Sequence, residues 1–145
     1  MILINNKKNK KAIDFINNNN INMTFMILNN TRRVSLSKNG KELGFFTIDG
    51  RPNIDTMDMT IYIEETENLI GRGLAKLMIA YMLICMVNEN IRKDQLVYID
   101  TDASDGFWAH IGMQENRYYS RGLSTIIGRG YEMFISFSKL AKWAL

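Results

Sequence analysis

Cysteine, proline and histidine each occur only once in these 145 residues. The single cysteine, Cys85, cannot close an internal disulfide and lies in an apolar run, which fits an intracellular, reducing, cytoplasmic setting. One Cys and one His cannot build a closed transition-metal cage, so no metal is expected, and His110 reads as a surface helix residue. Long apolar runs are missing too. The longest, residues 77–87, falls short of the ~20 residues that cross a bilayer and reads as a buried helix. The opening Met1-Ile2-Leu3-Ile4 is too short for a signal-peptide core and runs at once into Asn5-Asn6-Lys7-Lys8, so neither a secretion signal nor membrane contact is expected. Charge of one sign is scarce. The formal charge is +3 with a pI near 9.0, and basic residues cluster only at Lys7-Lys8, Lys10-Lys11 and Arg32-Arg33, short of a specific nucleic-acid footprint.

What is present is the composition of an ordinary globular domain, 46% hydrophobic and 23% charged. One domain spanning residues 1–145 is expected, large enough to bury roughly 70% of its unfolded surface without metal or disulfide support. Residues 1–20 read as a short helix or a loose N-terminal arm, with a weak apolar face from Ala12, Ile13, Phe15 and Ile16. Residues 21–28 turn apolar and β-branched, and Asn29-Asn30-Thr31 reads as a turn. Val34 and Leu36, then Asn39-Gly40, then Leu43, Phe45 and Ile48 make the clearest hairpin in the chain. Asp49-Gly50-Arg51-Pro52 breaks the pattern and residues 57–63 resume it as a strand.

A main helix is expected from Arg72 to about Asn88, its packed face formed by Leu74, Leu77, Met78, Tyr81, Ile84 and Cys85. The helix is also apolar on much of its other side, which implies more than one neighbour. Further expectations are a strand over 95–100, a short helix over 103–113 capped by Asp102 or Ser104, a closing strand over 130–137 and a helical turn over 139–145. The methionines between 57 and 86 read as core filling.

The strand over 57–63 leads through Glu64-Glu65-Thr66-Glu67-Asn68-Leu69-Ile70 into Gly71-Arg72-Gly73-Leu74-Ala75 at the start of the helix. Glycines let a backbone approach a ligand closely, and the first turn of a helix leaves N–H groups unpaired at a positive dipole end. Such a turn suits a phosphate or pyrophosphate, and Arg72 adds a charged donor. A glycine turn between strand and helix also occurs without any ligand. A P-loop would need Lys-Ser or Lys-Thr where Leu74-Ala75 stands, and a dinucleotide fingerprint would need a third glycine.

With its context, the segment resembles the signature of the GNAT superfamily of N-acetyltransferases, Arg/Gln-x-x-Gly-x-Gly/Ala after a strand. Gly73 and Ala75 fill the last two places, and Ile70 stands where Arg or Gln is usual. Downstream, the run from Ser104 through Phe107-Trp108 to Gly112-Met113 looks like the family's Ala-x-x-Phe-Tyr-x-x-x-Gly-Phe helix. Tyr131-Glu132-Met133-Phe134 is a weaker echo of its closing strand. The likeness covers about residues 58–140.

The resemblance implies an α/β (α+β) fold with a mixed, mostly antiparallel sheet of six to seven strands and helices on both faces. It implies an N-acetyltransferase that moves the acetyl group of acetyl-CoA to a primary amine of an unidentified acceptor, with the protein a monomer or homodimer. The fourth and fifth strands would splay apart around the pantetheine, which pairs with the backbone at Ile63, Glu64 and Glu65. Gly71, Arg72, Gly73, Leu74 and Ala75 would hold the pyrophosphate, and Thr101, Ser104, Phe107 and Trp108 would complete the cofactor contacts. Glu64 or Glu65 would serve as general base through water. The usual acid, a tyrosine, is replaced by Trp108, whose indole donates a hydrogen bond but no proton at such pH. Either Tyr118 or Tyr119 supplies the proton instead, or water does, or the chain binds the cofactor without turning it over. Tyr118 and Tyr119 also read simply as strand aromatics.

Overall fold

The computed structural model describes residues 7–65, 68–99, 105–115 and 133–145, with the backbone alone for 105–107. A 3-10 turn at Lys7–Asn9 leads into helix α1, Lys10–Asn18. Strands β1 (Asn22–Leu28), β2 (Thr31–Lys38), β3 (Lys41–Asp49) and β4 (Met57–Ile63) follow as an antiparallel meander. Helix α2 (Leu74–Cys85) precedes β5 (Leu96–Ile99), α3 (Asp105–His110), β6 (Gln114–Glu115), β7 (Met133–Ser136) and α4 (Phe137–Ala144). The seven strands form one sheet in the order β1-β2-β3-β4-β5-β7-β6, parallel only between β4 and β5.

Local chemistry accounts for most of these elements. Asn39 and Gly40 both take positive φ, 53° and 79°, as a tight turn between twisted strands requires. One face of the meander is apolar. Val34, Leu36, Phe46, Ile48, Met57 and Met59 are buried there, while Ser35, Phe45, Thr47 and Tyr62 alternate onto the opposite face. Helix α2 packs on the buried face over β2 and β3, flanked by α1 and α4. Asn9 Nδ2 donates to the Ala144 carbonyl at 2.9 Å, and Lys8 Nζ to that of Lys142 at 2.7 Å, which ties α1 to α4.

Several expected boundaries move. Helix α2 begins at Leu74 rather than Arg72, because Gly71 and Gly73 both sit at left-handed φ, near 79°, and hold Arg72 outside the helix. It ends at Cys85 rather than Asn88, tightening into a 3-10 turn at Val87–Glu89. Its buried residues are Leu74, Leu77, Met78, Ile79, Ala80, Met82 and Leu83, whereas Tyr81, Ile84 and Cys85 are only half-buried. The reason is that sheet, α1 and α4 surround the helix, so burial is not confined to one stripe. The fifth strand begins at Leu96 rather than Gln95, and Asp100 lies outside the described residues. Gln95 is buried and receives the Asn53 N–H on its side-chain oxygen at 2.9 Å. The closing strand stops at Ser136, whose hydroxyl caps α4 by accepting from the Lys139 N–H, so the expected turn over 139–145 is a two-turn helix starting at Phe137. The short helix ends at His110 rather than 113, and its proposed caps Asp102 and Ser104 lie outside the described residues, as do residues 130–132.

One polar feature fixes the far end of α2. Arg32, 2% exposed, directs its guanidinium at both carboxylate oxygens of Glu89 (2.6–2.9 Å) and donates to the carbonyls of Asn30 and Gly50, each at 3.0 Å. A buried charge is tolerated when it is paired and hydrogen-bonded in this way. No helix among the described residues is long and apolar enough to cross a membrane.

Candidate active site

The site grows from the backbone edges of β4. Successive strand residues send their N–H and C=O groups to opposite edges. The Glu64 N–H donates to the Leu43 carbonyl at 2.8 Å. By the register Phe45↔Tyr62 and Asp49↔Asp58, the groups of Asp58, Thr60 and Tyr62 therefore also point toward β3. Those of Met57, Met59, Ile61 and Ile63 point toward β5. Met57 and Met59 lie opposite Val97 and Ile99 in the parallel pairing with β5. Ile61 and Ile63 carry their backbone donors and acceptors on this same edge, away from β3.

In sequence, β4 is followed by the glycine turn at the start of α2. Gly71 has φ 79° and open space around the position of an added Cβ; Gly73, φ 78°, forms the N-cap of α2. The Leu77 N–H is the first to reach a helical acceptor, the Gly73 carbonyl at 3.1 Å. The N–H groups of Leu74, Ala75 and Lys76 precede it and have no intrahelical acceptor. No side chain caps this end, and its first turn holds no acidic residue. The side chain of Leu74 is buried, so it contributes backbone alone.

Cations gather at the turn. Lys11 of α1 donates from Nζ to the Gly71 carbonyl at 3.1 Å. Arg72 donates from Nε to the Asn68 carbonyl at 3.3 Å, and its guanidinium lies 4.8 Å from the centre of the Phe15 ring. Lys76 sits over the ring of Trp143 at 4.9 Å. Ile70, in the place where the signature carries Arg or Gln, is 63% exposed. Cations beside a dipole end and N–H groups without an intrahelical acceptor are the requirements of an anion site.

On the face away from α2, Tyr62 Oη donates to Glu64 Oε2 at 3.1 Å, and the Tyr62 and Phe45 rings lie 5.8 Å apart. The hydrogen bond to Glu64 is the main cause that raises the Tyr62 phenol above its ordinary pKa; partial burial and the charges of Glu64 and Glu65 add to it, against Lys41. Glu64 is half-buried and Glu65 exposed.

The structure therefore places Ile63, Glu64 and Glu65 at the end of β4, and the segment from Gly71 to Ala75 at the start of α2. The Glu64 N–H is already spent on β3, which leaves Ile61 and Ile63 as the residues with edge-facing backbone groups. Trp108 is buried in the core, 1% exposed, beside Ile111 and Met113 in the chain. Thr101, Ser104, Tyr118, Tyr119 and the Phe107 side chain lie outside the described residues. Three contributors escaped the sequence reading. Ile61 and Tyr62 were legible in principle, each two residues before an identified position on an alternating strand. Lys11 lies 60 residues from Gly71 and gave no signal. A cavity of about 230 Å³, lined by Ile54, Thr56, Arg92, Gln95, Leu96 and Tyr98, opens at the other ends of β4 and β5, away from this region.

No protein-family model matches the sequence, and no curated protein matches it. Solved structures do resemble the fold. Spermidine N-acetyltransferase SpeG from Vibrio cholerae, in a mutant form, superposes with a TM-score of 0.51 at 17% identity over 93% of this chain and 92% of that one. A predicted acetyltransferase from Clostridium acetobutylicum, solved with acetyl-CoA, gives 0.51 at 17% identity, covering 83% and 77%. The GNAT domain of PAT from S. lividans gives 0.51 at 11% identity over 74% of this chain, which spans only 61% of that chain's length. The chain has the GNAT fold, an α+β architecture in which the described residues form a seven-stranded mixed sheet and four helices.

Proposed function

We propose that the chain is an N-acetyltransferase that uses acetyl-CoA as acyl donor and a primary amine as acceptor. The observation that carries this reading is the uncapped, acid-free start of α2 behind the left-handed Gly71 and Gly73, with Lys11 and Arg72 beside it. A pyrophosphate fits this helix start, and an extended amide-bearing arm fits the backbone edge of Ile61 and Ile63 that faces away from β3. The likeness to acetyltransferase structures, one of them solved with acetyl-CoA, supports the same reading.

Bound acetyl-CoA supplies a thioester carbonyl open to attack by an amine. Ile61 and Ile63 orient the arm through backbone hydrogen bonds. The N–H groups of Leu74, Ala75 and Lys76, with Lys11 and Arg72, hold the diphosphate. Glu64, facing away from α2 and oriented by the Tyr62 hydroxyl, takes the proton from the incoming ammonium, directly or through water. Glu65 is the other candidate for this base. The departing thiolate takes a proton from Tyr118, Tyr119 or water.

Release of free CoA, followed with a thiol reagent over a panel of peptides, polyamines and amino acids, tests the activity. Glu64→Gln is expected to lower kcat about 10²-fold or more, the usual worth of a positioned base, with Glu65→Gln nearly silent. Tyr118→Phe and Tyr119→Phe assign the acid. Ile70 and the burial of Trp108 favour one second reading, a binding module that keeps acetyl-CoA without turnover. Its mark would be acetyl-CoA binding with no CoA released by any amine.

A further inference from the structure

Among the described strands the sheet has two edges, β1 and β6. The described part of β6 carries the charged Glu115, which discourages pairing with other chains. β1 has no such guard. Its seven residues, Asn-Met-Thr-Phe-Met-Ile-Leu, hold no charge and no proline, and its register against β2 runs without a bulge. Met26, Ile27 and Leu28 are 61%, 51% and 70% exposed, so the strand is apolar toward solvent on both faces of the sheet.

The direction of its backbone groups follows from one bond. The Gly50 N–H donates to the Asn30 carbonyl at 3.0 Å, which sets the alternation along β2 so that Thr31, Arg33 and Ser35 turn toward β1. They lie opposite Leu28, Met26 and Thr24. The N–H and C=O groups of Met23, Phe25 and Ile27 therefore point away from the sheet.

We propose that this edge pairs with the same edge of a second copy of the chain, β1 against β1 and antiparallel, about a twofold axis through Phe25. One sheet would then run through a homodimer. The strand is its own complement. About Phe25, Met23 meets Ile27 on the face of the helical layer and Thr24 meets Met26 on the other. The three outward-facing residues map onto one another, so every N–H finds a C=O. No like charges are opposed, because the cations next in the sheet, Arg32 and Arg33, are already paired within the chain by Glu89 and Glu42. A charged peptide would find nothing along this edge to answer its charge. The pairing does not depend on the acetyltransferase reading.

Sedimentation velocity on the full chain, from micromolar to near-millimolar, tests it. A concentration-dependent dimer is expected, with amide exchange at Met23, Phe25 and Ile27 slowing as the dimer fills. Ile27→Pro removes an N–H that has no partner among the described residues, and Met26→Lys places a charge on the edge. Each is expected to leave the circular dichroism unchanged and to weaken the dimer by about tenfold or more, the worth of one hydrogen-bonded pair. A monomer at every concentration overturns the proposal. So does a dimer indifferent to both variants, or one whose three amides exchange at the monomer's rate. Should Ile27→Pro unfold, Met26→Lys and the wild-type exchange data decide.

Discussion

Alanine at Gly73 isolates the backbone of the glycine turn from everything around it. The added Cβ would meet only the Ala12 Cβ at 3.6 Å, an ordinary contact, so no collision contributes. What remains is the left-handed conformation at φ 78°, which costs a residue with a Cβ about 1–2 kcal/mol. Unfolding entropy near 2.1 cal/mol/K per residue gives a chain of this length about 0.3 kcal/mol/K, so Tm should fall by about 3–7 °C. Relaxing the turn also takes one N–H out of line with the bound diphosphate. A hydrogen bond to a charged group is worth about 1.5–3 kcal/mol, so acetyl-CoA should bind roughly 10–100-fold more weakly. Calorimetric melting and titration of wild type and Gly73→Ala measure both. Gly71→Ala, at φ 79° with nothing within 4 Å, is the companion and should show the same stability loss. Unchanged Tm in both variants would refute the left-handed turn. A lowered Tm with unchanged affinity would refute the placement of the diphosphate there.

Other consequences are as definite. Glu89→Ala strands the Arg32 guanidinium, 2% exposed, without its carboxylate, and should cost about 3–5 kcal/mol in denaturant unfolding. A loss below about 1 kcal/mol would mean that water or carbonyl groups satisfy Arg32 alone. Tyr62 should ionise above the ordinary tyrosine value in an ultraviolet difference titration of wild type against Tyr62→Phe. Because the folded-state pKa is raised, its stabilising hydrogen bond is present below the ordinary value and lost as pH rises through the shifted one. Glu64→Gln should remove most of the shift, and a titration indifferent to that change would break the Tyr62–Glu64 pair.

Much of the scaffold was legible because it is locally encoded. Alternation fixed β4 to the residue, and Asn39-Gly40 named its own turn. The start of α2 was misplaced by two residues because the glycines that identify the turn also keep Arg72 out of the helix. The breadth of its buried surface was misjudged since periodicity measures one stripe, whereas α2 is enclosed by a sheet and two helices. Long-range contacts left no trace in local pattern. Arg32 and Glu89 are 57 residues apart, and Lys11 meets Gly71 only because α1 folds back over the turn. Of the proposed site, the signature marked the glycine turn, but the edge to which Ile61 and Ile63 send their backbone groups follows from the register with β3, which composition does not record.

The central claim, that the Ile61–Ile63 edge and the glycine turn receive acetyl-CoA, is tested most directly by a thermal melt of the wild-type chain with and without the ligand. At a hundred times its Kd, acetyl-CoA should add about 2.7 kcal/mol of stability, a rise in Tm of about 9 °C. A melting curve unmoved by millimolar acetyl-CoA would contradict the reading, for catalysis and for binding alike.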